Sequence, residues 1–329
     1  MLLFIPKFSQ FSEHLFALIM NTFQITFFRF AIAFVSTFAL HPSSNLAQGT
    51  ESQIRHLLGK CTVADFKQAP FNAWYEQGFA SYTPNASILQ PLKQTNLTTP
   101  VSRLRFKVFL GTWCGDSQRE FPRFMKLLSV LGVPESAVEI IAVNNADSAH
   151  KRSPTGEERN MDIFRVPTVL IFDAKKGREQ EEIARVVEYP AESWERDMVR
   201  ILRGEEYRSS YHTYPILREW LKSGLLADTN IVVSGLASRL RHLVTSEGEI
   251  NACAFVLLSC GQVQQAVTLY RVNAAIFPQS ARVLEALAEG YEKQGKLPNA
   301  IRALERALEL DTKNTSVLNM LVRLKAKAL

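Results

Sequence analysis

Cysteine is scarce. Cys61, Cys114, Cys253 and Cys260 are the only four in 329 residues. Thiols this few and this scattered exclude a disulfide-stapled scaffold, and they lack the paired Cys or His ligands at short spacing that mark a zinc site. The six histidines and the carboxylates, Asp147 and Asp173 among them, show no ligand or acid–base spacing either, so neither a metal nor a cofactor is expected. A dominant charge is also missing. The 38 Lys and Arg against 32 Asp and Glu leave a formal +6, and the cations are dispersed, several facing Glu at helical spacing in the C-terminal third. No nucleic-acid surface is expected from that pattern. With 47% hydrophobic and 21% charged residues the chain is not a disordered one, and its length suits about two domains with adequate cores.

The start of the chain is made of different material. Leu15 to Leu40 is almost wholly apolar and rich in Phe, interrupted by few polar residues and by Arg29. Read from Met20, a short segment closed by Arg29, an apolar run from Phe30 to Leu40 and a polar stretch ending at Ala47 fit a secretory signal over residues 1–47. The alternative is a membrane anchor, against which Arg29 near the middle of the span would cost about 2.5–3.5 kcal/mol. His56-Leu57-Leu58-Gly59-Lys60-Cys61 is only loosely like an acylation site, and Lys60 argues against it. The expectation is an exported protein of the bacterial periplasm or cell envelope, with membrane anchoring by this segment as the alternative. Disulfides persist in such a compartment.

Residues 48–103 carry helical spacing at Phe66, Phe71, Trp74 and Phe79 and then a polar stretch with Pro84, Pro91 and Pro100, which predicts a helical extension and a loop. From Leu104 to Leu110 the pattern is a buried strand. A helix bearing Phe121, Phe124, Leu127, Leu128 and Leu131 follows, then a strand over Val138 to Val143, a helix starting near Thr155, strands over Thr168 to Phe172 and Ile183 to Val187, and a helix with Trp194, Met198 and Ile201. That order predicts an α/β domain over 104–204, a mixed sheet flanked by helices. A helical connector, 205–249, leads to a region 250–329 that repeats. Gly261, Ala266 and Tyr270 return as Gly295, Ala300 and Leu304, while Cys253, Ala254 and Leu257 are answered by Leu287, Ala288 and Tyr291, all at an offset of 34.

Chemistry is concentrated where the first of these strands ends, at Thr112-Trp113-Cys114-Gly115-Asp116-Ser117. A cysteine at the first turn of a helix faces unpaired amide N–H groups and the positive end of the dipole, which favour a reactive thiolate. Together with Val166-Pro167-Thr168 entering the third strand, the segment resembles the thioredoxin superfamily, whose members carry Trp-Cys-x-x-Cys here and a cis-proline opposite. The repeats resemble the tetratricopeptide family over two units and an end helix, an all-α domain after the thioredoxin-like one. Residues from about Tyr214 to Val244 are candidates for a further, degenerate unit.

The resemblance implies that Cys114 is the nucleophile with Trp113 shielding it, that Pro167 is cis and lies beside it, and that Gly115, Pro167 and the Val166 backbone meet an extended substrate. Two departures bear on activity. Ser117 stands where the second cysteine would be, and Val108 replaces the buried acid found six residues before the first. A hydroxyl can hydrogen-bond a thiolate but cannot close a disulfide, so the two-thiol cycle is unavailable. Asp116 opposes the thiolate modestly. One-thiol exchange of an isomerase or reductase type remains, with release by the substrate's own second sulfur, by an external low-molecular-weight thiol, or by Cys61. The other class of reading is a redox-inactive scaffold whose thioredoxin face and repeat groove dock protein partners. Cys253 and Cys260 are expected to serve packing.

Overall fold

The computed structural model describes residues 56–93, 97–175 and 181–329. Residues 1–47, with the expected signal or anchor, lie outside the described residues. Among those described, no helix is long and apolar enough to cross a membrane.

Five strands form one mixed sheet in the order β1-β3-β2-β4-β5, with β1 at Gly59–Cys61, β2 at Leu104–Leu110, β3 at Val138–Ala142, β4 at Thr168–Asp173 and β5 at Glu181–Val187. β2 and β3 run parallel, with Val108 opposite Ile140, whereas β1–β3, β2–β4 and β4–β5 are antiparallel. The period of two decides which side chains go where. Phe106, Val108 and Leu110 of β2, with Ile140, Val169 and Ile171 of its neighbours, enter one large cluster. Phe109, Ile141 and Leu170 enter a smaller cluster with Ile163 and Val166.

Helix α4, Gly115–Val130, covers the large cluster with Phe121, Phe124, Met125 and Leu128, an i, i+3, i+4, i+7 set on one face. It is joined there by α5, Trp194–Leu202, whose first turn is capped by the Ser193 hydroxyl accepting from the Arg196 N–H at 3.2 Å. The Trp194 indole N–H donates to the buried Glu120 carboxylate at 2.9 Å, which ties α5 to α4.

Two segments differ from their sequence expectations. Residues 48–103 were expected as an extension beside the sheet domain, but they supply β1, and helices α1 at Val63–Phe66, α2 at Asn72–Ser81 and α3 at Ala86–Leu89. Phe66, Phe71 and Tyr75 sit in the same cluster as Phe121, so this stretch is part of the sheet's core. Three residues are too few for an alternation signal, which hid β1. The helix expected near Thr155 is absent. There the Ser153 hydroxyl accepts from the Gly156 and Glu157 N–H groups at 3.1 and 2.9 Å, and Gly156, Asn160 and Asp162 all take positive φ. Such local side-chain bonds and left-handed residues turn the chain instead of propagating a helix.

After α5 the chain is helical, with α6 at Tyr214–Lys222, α7 at Val233–Leu240, α8 at Glu247–Ser259, α9 at Val263–Ile276, α10 at Ala281–Lys293, α11 at Leu297–Leu310 and α12 at Thr315–Lys327. The starts of α8, α10 and α12 are spaced by 34 residues, as are those of α9 and α11. Gly261 and Gly295, φ +76° and +78°, make the equivalent turns between them. Sheet and helices belong to one compact unit. Phe164 and Val187 of the sheet domain share a buried cluster with Tyr214, Trp220 and Leu257.

Candidate functional site

β2 delivers the chain to Gly111, and the next three residues turn it into α4. The Cys114 N–H donates to the Gly111 carbonyl at 2.9 Å. Cys114 itself is extended, φ −95° and ψ 123°, and caps the helix with its backbone while its side chain takes no part in capping. The sulfur stands beside the open end of a helix of 16 residues. Its thiol donates to the Val166 carbonyl at 3.2 Å, and the Val166–Pro167 peptide is cis. The adjacency of Cys114, Val166 and Pro167 expected from the sequence is therefore present. Cys114 is half-buried, and Gly115 beside it is exposed with open space where a side chain would begin.

Trp113 folds back over the strand end. Its indole N–H donates to the Val143 carbonyl at 2.9 Å, and a β-carbon on Gly111 would come within 2.5 Å of the ring, so only glycine fits beneath it. The ring packs on the small cluster at the strand ends together with the half-buried Cys114. Asp116 pairs with Arg119 at 2.7 Å, which tempers its repulsion of a neighbouring anion.

Ser117 does not act as the expected hydrogen-bond neighbour of the thiol. It is fully buried, and its oxygen accepts from the Gly111 N–H at 3.2 Å; no hydrogen bond joins it to Cys114. The sequence motif placed the hydroxyl one helical turn from the sulfur, but the strand end held a closer claimant for it.

Cys61 packs with the large cluster and Cys114 with the small one, so the two thiols belong to opposite faces of the sheet. Burial pushes the Cys61 thiol up to about 11. Cys253 is fully buried in the helical cluster and Cys260 is exposed at the end of α8. All four cysteines are free.

Sequence reasoning missed three basic residues that crowd this corner. Lys151, in the β3–β4 connection, is only 9% exposed; its ammonium donates to His150 Nε2 and lies 6.0 Å from the Trp113 ring centre. Burial pushes Lys151 down to about 8, Arg165 adds to that, and Cys114 and Glu188 oppose it. His150 falls to about 4, through burial first and the neighbouring Lys151 second. Its ring also meets Phe255 of α8 at 4.9 Å between centres. Arg165 precedes Val166-Pro167 and is held by the Glu188 carboxylate at 2.8 Å, the Tyr214 hydroxyl at 3.1 Å, the Gly248 carbonyl at 2.7 Å and the Tyr211 ring at 4.9 Å. The only signal in the sequence was polarity in a loop, which many solvated loops share.

Beyond Lys151 opens a cleft of about 660 Å³ whose walls include Arg159, Phe164, Lys222, Leu257 and Cys260. Among the described residues no group of His, Cys, Asp and Glu could hold a metal ion. No protein-family model matches the chain, and no curated protein matches it in sequence.

Proposed function

We propose that the protein is an exported, thioredoxin-like thiol–disulfide exchange protein that works through one cysteine, joined to a tetratricopeptide-type helical module that binds protein. The observation that carries this reading is the half-buried Cys114 sulfur at the amino end of α4, within 3.2 Å of the carbonyl before cis-Pro167. A thiolate there can attack a substrate disulfide that approaches across Gly115 and the Val166 backbone. The Cys114–sulfur bond forms as the substrate S–S bond breaks, and the electron pair leaves on the departing substrate thiolate. The substrate's second thiolate, or an external thiol, then attacks the mixed disulfide and releases Cys114. No net oxidant is consumed when the substrate's own sulfur closes the cycle, which is isomerase chemistry.

The 34-residue spacing of α8 to α12 supports the repeat assignment. Their packing against the Cys114 corner, through His150 on Phe255, suits a module that brings a protein substrate to the thiol.

The test is refolding of scrambled ribonuclease and reduction of a protein disulfide, with wild type and Cys114→Ala. Turnover that disappears in the variant is the expected result, together with substrate-linked mixed disulfides trapped on Cys114. A second reading, a docking scaffold without turnover, is favoured by the engagement of Ser117 with Gly111 and by the absence of a second thiol from the small cluster that holds Cys114. It is the conclusion to draw if neither turnover nor mixed disulfides are found.

A further inference from the structure

A cation inside a protein normally has an anion beside it, because an ammonium taken out of water without a partner loses several kcal/mol of hydration. Lys151 departs from that rule. It is 9% exposed, and among the described residues no carboxylate lies within ion-pair distance of it. Its contacts are the neutral His150 ring and the Trp113 face. Glu188 is taken up by Arg165 and the Tyr211 hydroxyl. Glu158 and Asp162, which line the same cleft, are taken up by Ser153 and Arg218, and Cys114 packs in the same small cluster as Trp113, the ring that Lys151 faces.

We propose that Lys151 is the charge partner of Cys114: its ammonium favours the thiolate and offsets the negative charge that the Cys114 sulfur carries before attack and regains on release. The role is electrostatic, exerted across the edge of Trp113 without transfer of a proton. The groups facing this pair are few. Asp116 on α4 is engaged by Arg119, Arg165 and Glu188 engage each other, His150 stays neutral above about pH 4, and α8 presents the apolar Phe255. Arg152, Arg159 and Lys222 share the cleft with Lys151, and among these Lys151 is the buried cation, set against the Trp113 ring next to the sulfur.

The inference bears on the proposed exchange reaction but has a test that does not require turnover. Lys151→Met keeps the stem and removes the charge, whereas Lys151→Arg restores it, and neither branches at Cβ, so the positive φ of +56° is equally tolerable to both. The first readout is the rate of iodoacetamide alkylation of Cys114 at pH 7, followed peptide by peptide with Cys61, on the other face of the sheet, as the internal control. Lys151→Met is expected to slow Cys114 about tenfold, the equivalent of ~1.4 kcal/mol, Lys151→Arg to recover most of the rate, and Cys61 to stay unchanged. The second readout keeps Lys151 and removes the sulfur. In Cys114→Ser the Lys151 amine, followed by competitive acylation against pH, titrates lower than the value of about 8 it has beside the cysteine.

Equal alkylation rates in folded Lys151→Met and wild type, or a Lys151 titration indifferent to Cys114→Ser, overturn the proposal. If Lys151→Met does not fold, the serine variant decides alone. Charge-dependent alkylation without any mixed disulfide leaves the pair standing and removes the exchange reading.

Discussion

The Ser117 hydroxyl and the Lys151 ammonium stand in different relations to Cys114: the first is engaged by the strand end, the second lies across the Trp113 ring. Ser117 holds the strand end, since its buried oxygen satisfies the Gly111 N–H. Ser117→Ala should therefore destabilise the fold by about 1–3 kcal/mol, the cost of an unsatisfied buried donor, and leave Cys114 alkylation nearly unchanged; urea unfolding beside iodoacetamide kinetics separates the two effects. His150 supplies a pH dependence with a definite sign. Its folded value of about 4 lies below the ordinary 6.5, so the unfolded chain takes up a proton between those limits and the folded chain does not. Stability contributed by neutral His150 is complete above about pH 6.5 and is lost as pH falls towards 4. Because the side chain is partly exposed, screening reduces the effect to roughly 1–2 kcal/mol. The pH 7 to 4 decline in melting temperature should be shallower in His150→Gln than in wild type. None of this was visible in the residue pattern around Cys114, because Lys151 and His150 reach the site from a loop far along the chain.

Helices α8 to α12 rest on close approaches between neighbours. Gly290 of α10 faces Tyr270 and Val267 of α9, and a β-carbon there would stand 2.9 Å from the Tyr270 ring. Tyr270 is fully buried and has no room to retreat. Gly290→Ala gains about 1 kcal/mol of helix propensity and loses more to overpacking, about 1–3 kcal/mol, so thermal melting should show a net loss of stability. The elements were legible where a period of 3.6 or 2 ran for several turns or residues, as in α4 and β2. They were not legible where the side chains supplied other partners for the backbone. Ser153 captures the amides that a helix at Thr155 would have used, and β1 is too short to show a period but is held in register by β3, Lys60 opposite Ile141.

For the molecule as a whole, the seam at Arg165 joins the sheet to the helices and also precedes the cis-peptide beside Cys114. Its guanidinium binds Glu188 within the sheet domain and Tyr214 and Gly248 beyond it. Arg165→Ala leaves the half-buried Glu188 carboxylate with the Tyr211 hydroxyl and should cost about 1–3 kcal/mol, the scale for a polar group that loses a partner. Denaturation followed by tryptophan fluorescence and by helical circular dichroism should coincide in wild type and separate in this variant, since the two halves then lose their shared polar anchor. What the sequence determined by itself was local and periodic. The apolar spacing makes a mixed sheet with flanking helices and a helical end, the 34-residue offset sets the spacing of its helices, and the strand–cysteine–helix order puts Cys114 at a helix terminus. What only the tertiary structure decided was the company Cys114 keeps. Crossing strands bring Val166 to the sulfur, a turning loop buries Lys151 and sets His150 beside Trp113, and Cys61 goes to the other face of the sheet. Long-range pairing fixes those positions, and no periodicity in the chain encodes which distant side chains meet.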